Sequence, residues 1–186
     1  MRRLAFFALG CAVGAIGLWG WTTFGGHLSG NAPYAGQQTR SVSSLSAEDI
    51  AQLERGAGWG LAKPAELNGY PGPLHILELS DKLDLTTEQR TRIESAFNAM
   101  NAKARQLGSA LIEAEAALDA AFEAGSINEA QLAERLATTE RTRAALRQVH
   151  LAAHIEVTPL LTDEQKTRYA ELRGYGAGGH GGHGGH

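Results

Sequence analysis

Two histidines stand four positions apart, at His150 and His154, in a stretch whose other residues are typical of an amphipathic helix. Residues at this spacing project from one face of a helix, about one turn apart. Two neutral imidazoles so placed can chelate one transition-metal ion. The plainer interpretation is a half-buried His150 that is hydrogen-bonded to a backbone or glutamate oxygen, with His154 in solvent. The question is whether other ligand-type side chains come close to the pair.

Further candidate ligands lie on two other predicted helices. His75 and Glu78 are three positions apart on a short helix that would complete a site if it folded back over the pair. Met100 falls opposite Ala153 when the two long helices are paired antiparallel, although core packing alone explains its position. Imidazole, carboxylate and thioether ligands suit copper, nickel, cobalt or zinc, and the sequence does not choose among these metals.

A second group of histidines lies near the end of the chain, in the tail of residues 174–186. His180, His183 and His186 each follow two glycines. Glycine-rich sequence does not hold a preorganised cage, so an ion bound there must overcome the entropy of ordering the chain. The histidines are not contiguous, as they would be in an affinity tag. We interpret the tail as a disordered metal buffer or a means of delivery to the main site, with a plain disordered tail as the alternative.

Several functional classes are disfavoured by the same sequence. The net charge of −3, with both signs interspersed, gives no basic patch for nucleic acid. Residues 150–154, "HLAAH", lack the glutamate that follows the first histidine in zincin metalloproteases, and no phosphate loop or nucleophile setting is recognisable. The single cysteine, Cys11, forms neither an intramolecular disulfide nor a thiolate cluster. We therefore expect a binding protein and not an enzyme.

The histidine pair belongs to a predicted antiparallel hairpin of two long helices. Thr86 and Gln89 form a capping-box pattern before the first arm, Gly125 is a fitting stop, and Ser126 with Glu129 form a capping pattern before the return arm. Apolar residues recur at steps of four and three, which predicts a heptad seam along each arm. The predicted seams are Ile93, Phe97, Met100, Ala104, Leu107, Leu111, Ala114 and Leu118 on the first arm, and Leu132, Leu136, Thr139, Arg143, Leu146, His150, Ala153, Val157 and Leu160 on the second.

Shorter elements flank the hairpin and complete an all-α domain over residues 45–173. Ser46 caps a short predicted helix that breaks at Gly56, Pro73 suits the first position of another, and Thr162 caps a last helix that runs to about Arg173. Residues 58–73 between the first two are rich in turn-forming residues. Three side chains of this segment are expected to pack against a neighbour: Trp59, Leu67 and Tyr70.

The start of the chain is typical of a membrane segment. Arg2 and Arg3 precede an uncharged run from Leu4 to Phe24, which exceeds the apolar stretch of a signal peptide and is long enough to span a bilayer. The arginines would keep the N-terminus in the cytoplasm. We predict a transmembrane anchor over residues 1–24, with a cleaved signal as the alternative, and a flexible linker over residues 25–44. The folded domain is then periplasmic if the source is Gram-negative.

Two copies of Leu-Thr-x-x-Gln, at residues 85–89 and 161–165, flank the hairpin. In this the chain resembles the Spy/CpxP superfamily of periplasmic proteins, in particular its heavy-metal resistance and sensor branch of CnrX- and ZraP-like proteins. The resemblance covers roughly residues 73–173. It implies an all-α hook, usually a homodimer, that either cradles unfolded clients as an ATP-independent chaperone or binds a transition metal and relays its presence to an inner-membrane partner.

The CnrX-like pattern draws its ligands from a histidine pair and a glutamate near the front of the domain and from a later His-x-x-x-Met. The later motif maps onto His150 and His154, with histidine in place of methionine, and only His75 stands where the front pair would be. We expect a membrane-tethered, periplasmic metal-binding protein that senses or buffers the ion. A Spy-like chaperone and a purely structural interaction module are the alternatives. The small seam side chains favour a homodimer, in which Arg143 would pair with a carboxylate across the interface.

Overall fold

The computed structural model describes residues 32–176. The predicted membrane segment of residues 1–24 and the histidines of the tail lie outside this range. The compact unit begins at Gly36, and its regular elements within the described range are helices, as predicted. None of the described helices is both long and apolar enough to cross a bilayer. The elements are α1 (Ala47–Glu54), α2 (Lys63–Glu66), α3 (Pro73–Glu78), α4 (Thr87–Glu123), α5 (Glu129–Val157), a 3-10 turn (Thr158–Leu160) and α6 (Asp163–Leu172).

Helices α4 and α5 form the predicted hairpin. Thr86 and Gln89 close the capping box of α4, and Gly125 occupies the left-handed region at φ 63°, which glycine adopts without strain. The predicted cap of α5 by Ser126 and Glu129 is wrong. The cap is Asn128, whose side chain accepts the N–H of Gln131 at 3.0 Å. Asparagine caps a helix as well as serine does, and the later start leaves room for the chain to turn.

The buried face of α4 follows the predicted heptad only in part. Its buried residues recur every eleven positions, at Ile93, Ala104 and Glu115. An eleven-residue period lies close to the natural twist of an α-helix, so this face requires little supercoiling. Along α5 the predicted seam residues from Thr139 to Val157 are buried except Arg143, which is half-buried, whereas Leu136 near the turn is 42% exposed. The predicted α4 positions that are only half-buried are Phe97, Leu107, Ala114 and Leu118.

Two apolar clusters lie along the hairpin, one on each side of its middle. The first joins α3, α4 and α6 around the base, and the second packs α1 on α4 and α5. Val42 is buried in the second cluster, so the packed part of the chain begins before residue 45. The members of the first cluster are Ile76, Leu83, Ile93, Ala96, Val157, Leu161 and Tyr169, and those of the second are Val42, Leu45, Leu53, Ala104, Leu111 and Leu146.

Helix α1 crosses α4 in close backbone contact at Gly108. A Cβ atom at this position would overlap the carbonyl oxygen of Leu53 and lie 2.9 Å from its carbonyl carbon. Leu53 itself is 1% exposed. The absence of a side chain at Gly108 therefore sets how closely α1 packs on the hairpin.

Arg143 finds its carboxylate partner within the chain. Its Nη2 binds Glu115 Oε1 at 2.5 Å, and its guanidinium lies 5.3 Å from the ring centroid of Trp59. Glu115 also accepts a hydrogen bond from Ser44 Oγ at 2.9 Å. This intrachain network ties Ser44 and Trp59 to the hairpin, and the interchain pairing of Arg143 stays a prediction.

The segment between α1 and α3 folds differently from the prediction. Trp59 is half-buried, as expected, but Leu67 and Tyr70 are 64% and 43% exposed. The reason is the short helix α2, which buries Ala65 and directs the following residues outward.

The two Leu-Thr-x-x-Gln motifs meet at the base of the hairpin. The Oε1 atoms of Gln89 and Gln165 accept the N–H of their own N-cap threonines. Gln89 Nε2 donates to Gln165 Oε1 at 2.8 Å and to Leu160 O at 2.7 Å. Gln165 Nε2 donates to Leu83 O at 3.0 Å. The paired glutamines therefore join the start of α4 to the start of α6.

We expect Gln89→Ala to lower the free energy of unfolding by about 2 kcal/mol, because it removes the half-buried hydrogen bonds that Gln89 makes with Gln165 and with the carbonyl oxygen of Leu160. Gln131→Ala is the matched control. Within the described residues, Gln131 makes the same capping box at the exposed turn and bonds only Asn128. Gln131→Ala should therefore lower the free energy of unfolding by about 1 kcal/mol or less. Urea unfolding measures both, and equal losses would contradict a specific role for the glutamine pair.

Candidate functional site

A cavity of about 420 Å³ lies beside the middle of the hairpin, between the two apolar clusters. Phe97 and Met100 of α4 and His150 and His154 of α5 line one side of it. Its other walls come from the segment between α1 and α3, from the start of α3 with His75, and from the chain after α6. Four of the sequence-predicted ligands therefore face one cavity: His75, Met100, His150 and His154.

His154 is buried, with 7% exposure, and not in solvent as the plainer interpretation had it. Its Nδ1 lies 2.7 Å from the carbonyl oxygen of Tyr70. Because a carbonyl only accepts, Nδ1 donates this bond and carries the proton. When the ring is neutral, its Nε2 atom has the free lone pair, and a backbone carbonyl behind the ring is the usual partner of a metal-binding histidine.

His150 is 3% exposed, and its Nε2 atom is buried without a hydrogen-bond partner in the described part of the chain. Burial lowers the pKa of His150, and the neighbouring His154 lowers it further. The ring is therefore neutral at pH 7. A buried polar atom without a partner costs about 1–3 kcal/mol and is uncommon in folded proteins. The pair consequently presents the neutral imidazole of His150 and the ring of His154 to one cavity.

The carboxylate beside the cavity is Glu66 of α2, which the sequence analysis missed. Its Oε1 accepts a hydrogen bond from Tyr169 Oη at 2.6 Å, with His75 Nδ1 at 3.6 Å and Arg173 Nε at 3.5 Å. Its Oε2 lies 3.8 Å from His154 Nδ1 and is buried without a hydrogen-bond partner among residues 32–176. The sequence feature that could have indicated this short helix is Pro64, since proline favours the first turn of a helix.

The charge on Glu66 follows from its neighbours. Burial raises the pKa of this carboxyl, but His75, Tyr169 and His154 together outweigh burial and lower it. Burial, and then the bond to Glu66, raise the pKa of Tyr169 well above its usual range. Glu66 is therefore ionised and Tyr169 protonated at neutral pH. Glu66 thus brings a negative charge to a cavity whose lining also includes the cationic side chains of Arg55, Lys63 and Arg173.

His75 and Glu78, the predicted ligand pair on α3, do not both line the cavity. His75 lines the cavity, but its Nδ1 faces Glu66 and its Nε2 lies 3.5 Å from Arg173 Nη2. Glu78 is exposed at the last position of α3 and lies outside the cavity. Because α3 has only six residues, its Pro73 and Ile76 face the core and Glu78 reaches solvent. The carboxylate that lines the cavity is therefore Glu66, and not Glu78 as predicted.

The ligand-type groups do not form a closed coordination shell. Within residues 32–176, no three histidine, cysteine, aspartate or glutamate side chains lie close enough together to hold one metal ion. His150 and His154 supply two nitrogens, and Met100, which is 9% exposed, adds a thioether to the same cavity. The remaining predicted ligands, His180, His183 and His186, lie outside the described residues.

Gly72 leaves space for the edge of His154. A Cβ atom at Gly72 would lie 2.8 Å from His154 Cε1, 3.1 Å from Nε2 and 3.5 Å from Glu66 Oε2. We expect Gly72→Ala to weaken metal binding by about tenfold, because its methyl group crowds Nε2 and displaces a ring that the Tyr70 carbonyl holds in place.

The matched control for Gly72→Ala is Gly58→Ala. Gly58 lines the same cavity, but a Cβ atom there would meet nothing within 4 Å. Isothermal titration of both variants measures the effect. Equal affinities would show that the space beside His154 plays no part in binding.

The chain matches the family model of the LTXXQ motif family protein over residues 74–173. This is more than half of its 186 residues. The match includes both Leu-Thr-x-x-Gln motifs, the hairpin and the three histidines of the cavity, whereas Glu66 precedes it. Comparisons with curated proteins and with solved structures gave no match. The family agrees with the Spy/CpxP resemblance of the two motifs, and the chain belongs to the LTXXQ motif family, as a Spy/CpxP-type protein.

Proposed function

We propose that this protein binds a transition-metal ion through Nε2 of His150 and Nε2 of His154, as a binding protein and not an enzyme. The observation that carries the proposal is the buried Nε2 of His150, which has no partner among the described residues and belongs to the same cavity as His154. An ion at this position would accept the lone pair and remove the cost of leaving the atom unpaired.

The surroundings of the pair support an ion over a plain core contact. The Tyr70 carbonyl fixes the tautomer of His154 with Nε2 free. The ionised Glu66 supplies a negative charge, and its partnerless Oε2 is a candidate oxygen ligand. Nitrogen and oxygen ligands suit zinc, nickel, cobalt or copper(II), and the thioether of Met100 would favour copper(I).

The biological role in this proposal is sensing or buffering of the metal in the periplasm, by a homodimer held to the inner membrane. It rests on the predicted anchor and on the resemblance to the metal-sensing branch. An ion bound by His150 and His154 of α5 and by Glu66 of α2 would draw the segment between α1 and α3 toward the hairpin. Because binding favours that arrangement, the shift would report the ion to an inner-membrane partner.

The test uses the full chain prepared without a nickel column and carrying His180→Ser, His183→Ser and His186→Ser, so that the tail histidines do not contribute to the binding that is measured. We expect one ion per chain, with a dissociation constant of about 10 μM or lower for at least one of the four metals. Isothermal titration and metal analysis give the affinity and the stoichiometry. The proposal fails if none of the metals binds at this level.

A second candidate function is that of a Spy-like chaperone. It is favoured by apolar side chains on the outside of the hairpin: Phe122 is 56% exposed, Leu136 42% and Ile155 63%. Exposed apolar surface of this kind can hold unfolded clients if it is contiguous. Suppression of client aggregation in the presence of a chelator, unchanged on adding metal, would support the chaperone and make the histidines incidental.

A further inference from the structure

We infer that the ion held by His150 and His154 is copper(I), and that the thioether of Met100 is its third ligand. The inference rests on the proposed function, because it names the metal of that site and the residue that selects it. Three properties of the cavity carry it: the donor atoms that line it, the number of ligands that converge and the charge of its walls. Each of them favours a soft ion with a single charge.

The hairpin presents imidazole nitrogens and a sulfur atom to the cavity. Met100 is 9% exposed and lines the same side as His150 and His154, which are 3% and 7% exposed. A thioether is a soft ligand, which favours copper(I) over harder ions such as divalent nickel or cobalt. Methionine is unbranched and flexible, so its sulfur can adjust toward an ion at the two Nε2 atoms. This side of the cavity therefore offers two nitrogens and a sulfur to one ion.

Too few ligands converge in the cavity for a complete zinc site. Zinc takes four ligands in its usual sites, whereas among residues 32–176 no three histidine, cysteine, aspartate or glutamate side chains lie close enough together to hold one ion. His75 does not join the pair, because its nitrogens face Glu66 and Arg173. Copper(I) has a filled d shell and forms stable complexes at low coordination numbers. Two imidazoles and a thioether therefore suffice for copper(I), where zinc would need a further ligand.

The charges around the cavity favour an ion with a single charge. Besides the histidines, its charged lining residues in the described part of the chain are the cations Arg55, Lys63 and Arg173 and the carboxylate Glu66. Glu66 Oε1 lies 3.5 Å from Arg173 Nε, so part of its charge is already balanced. The cost of transferring an ion from water into a buried site rises with the square of its charge in the Born description, and its repulsion by cations rises in proportion to its charge. Copper(I) therefore meets a smaller electrostatic penalty here than a divalent ion does.

The experiment measures the affinity of the full chain for Cu⁺, without oxygen and in competition with a chromophoric copper(I) chelator, and its affinity for Zn²⁺ in parallel. The parent form carries Cys11→Ser and the three tail substitutions, because a thiolate and further imidazoles would also bind copper(I). The variants of this parent are Met100→Leu, Phe97→Leu and His150→Ala/His154→Ala. Met100→Leu removes the sulfur at nearly constant volume. Phe97→Leu is the matched control, because it alters the same side of the cavity without removing a ligand atom.

We expect one Cu⁺ per parent chain and a loss of Cu⁺ affinity of about tenfold or more in Met100→Leu, the scale on which changes around a metal alter its binding. The Zn²⁺ affinity of Met100→Leu and the Cu⁺ affinity of Phe97→Leu should each change by less than about twofold, since neither depends on the sulfur. The variant His150→Ala/His154→Ala should lose the binding of both ions.

X-ray absorption at the copper edge provides a second readout, which does not require that a variant keeps its fold. The copper(I)-loaded parent should show a sulfur neighbour as well as nitrogens. Met100 and Met1 hold the sulfur atoms that remain once Cys11 is replaced, so the sulfur neighbour should disappear in Met100→Leu. Nitrogen neighbours alone in the parent, or a sulfur neighbour that persists in Met100→Leu, would overturn the inference.

The outcomes separate the inference from the proposed function. Unchanged Cu⁺ affinity in Met100→Leu, with binding still lost in His150→Ala/His154→Ala, would overturn the inference and leave the proposed function standing. An equal loss of Cu⁺ affinity in Phe97→Leu would assign the effect to packing and overturn it in the same way, as would binding of Zn²⁺ without binding of Cu⁺. Parent-level binding of both ions in His150→Ala/His154→Ala would overturn the proposed function, and the inference with it.

Discussion

Replacing both His150 and His154 with alanine is expected to weaken metal binding by about a hundredfold or more, which corresponds to about 2.7 kcal/mol of binding free energy. The effect is large because both imidazoles face one cavity, and because the Nε2 atom of His150 has no competing partner in the described part of the chain. Isothermal titration with each of the four candidate metals measures it.

The position of Glu78 provides the control for this variant. Its spacing from His75 predicts a ligand, but Glu78 is exposed and lies outside the cavity, so Glu78→Ala should leave the affinity unchanged. Glu66→Gln, at the carboxylate that lines the cavity, should weaken binding by about tenfold, since it removes a negative charge and an oxygen ligand. A larger effect of Glu78→Ala than of Glu66→Gln would mean that the ligand arrangement described here is wrong.

Gly108→Ala is expected to lower the free energy of unfolding by about 3 kcal/mol, the upper part of the range for overpacking. The added methyl group would overlap the carbonyl oxygen of Leu53 and lie 2.9 Å from its carbonyl carbon. Backbone atoms do not rotate away as a flexible side chain does. Helix α1 must therefore move, and the buried contacts of Leu53 with the second cluster would weaken. Urea unfolding of the variant and the wild type measures the change.

The sign of this effect is informative. At an exposed position inside a helix, replacing glycine with alanine stabilises the fold by about 1 kcal/mol. Gly108 lies inside α4, so a rise in stability would show that α1 does not pack on it as described. The neighbouring exposed residue supplies the control, because Ser109→Ala should change the free energy of unfolding by less than about 0.5 kcal/mol.

The paired glutamines, Gln89 and Gln165, also help to position the cavity that contains His150 and His154. Gln89 and Gln165 hold the start of α6 against the base of the hairpin. Helix α6 in turn places Tyr169 and Arg173 against Glu66, whose other oxygen lies beside His154. The residues that define the family therefore position one wall of the cavity, although they do not contact it themselves.

The features that the sequence predicted correctly depend on local signals. A capping threonine three residues before glutamine, and a glycine at a helix end, need only their neighbours, so Thr86, Gly125 and Thr162 were placed correctly. The same rule failed at Ser126, because Asn128 offers an equally good cap two residues later. The position of His150 and His154 on one face of α5 also followed from their spacing, whereas the burial of His154 did not.

The features that the sequence did not predict depend on contacts between distant segments. Glu66 lies on a helix of four residues, which is too short to show a periodic pattern. Gly72 lies close to His154, and Gly108 lies close to Leu53. These contacts join segments that are far apart in the sequence, so no local pattern predicts them. The intrachain pairing of Arg143 needs the register of the hairpin, which brings Glu115 opposite it.

The most direct test of the central claim is a crystal structure of the metal-loaded full chain, with diffraction recorded at the absorption edge of the bound metal. For zinc, we predict an anomalous difference peak about 2.0–2.1 Å from Nε2 of His150 and from Nε2 of His154. A peak at any other place in the protein, with both Nε2 atoms beyond bonding distance, would contradict the account.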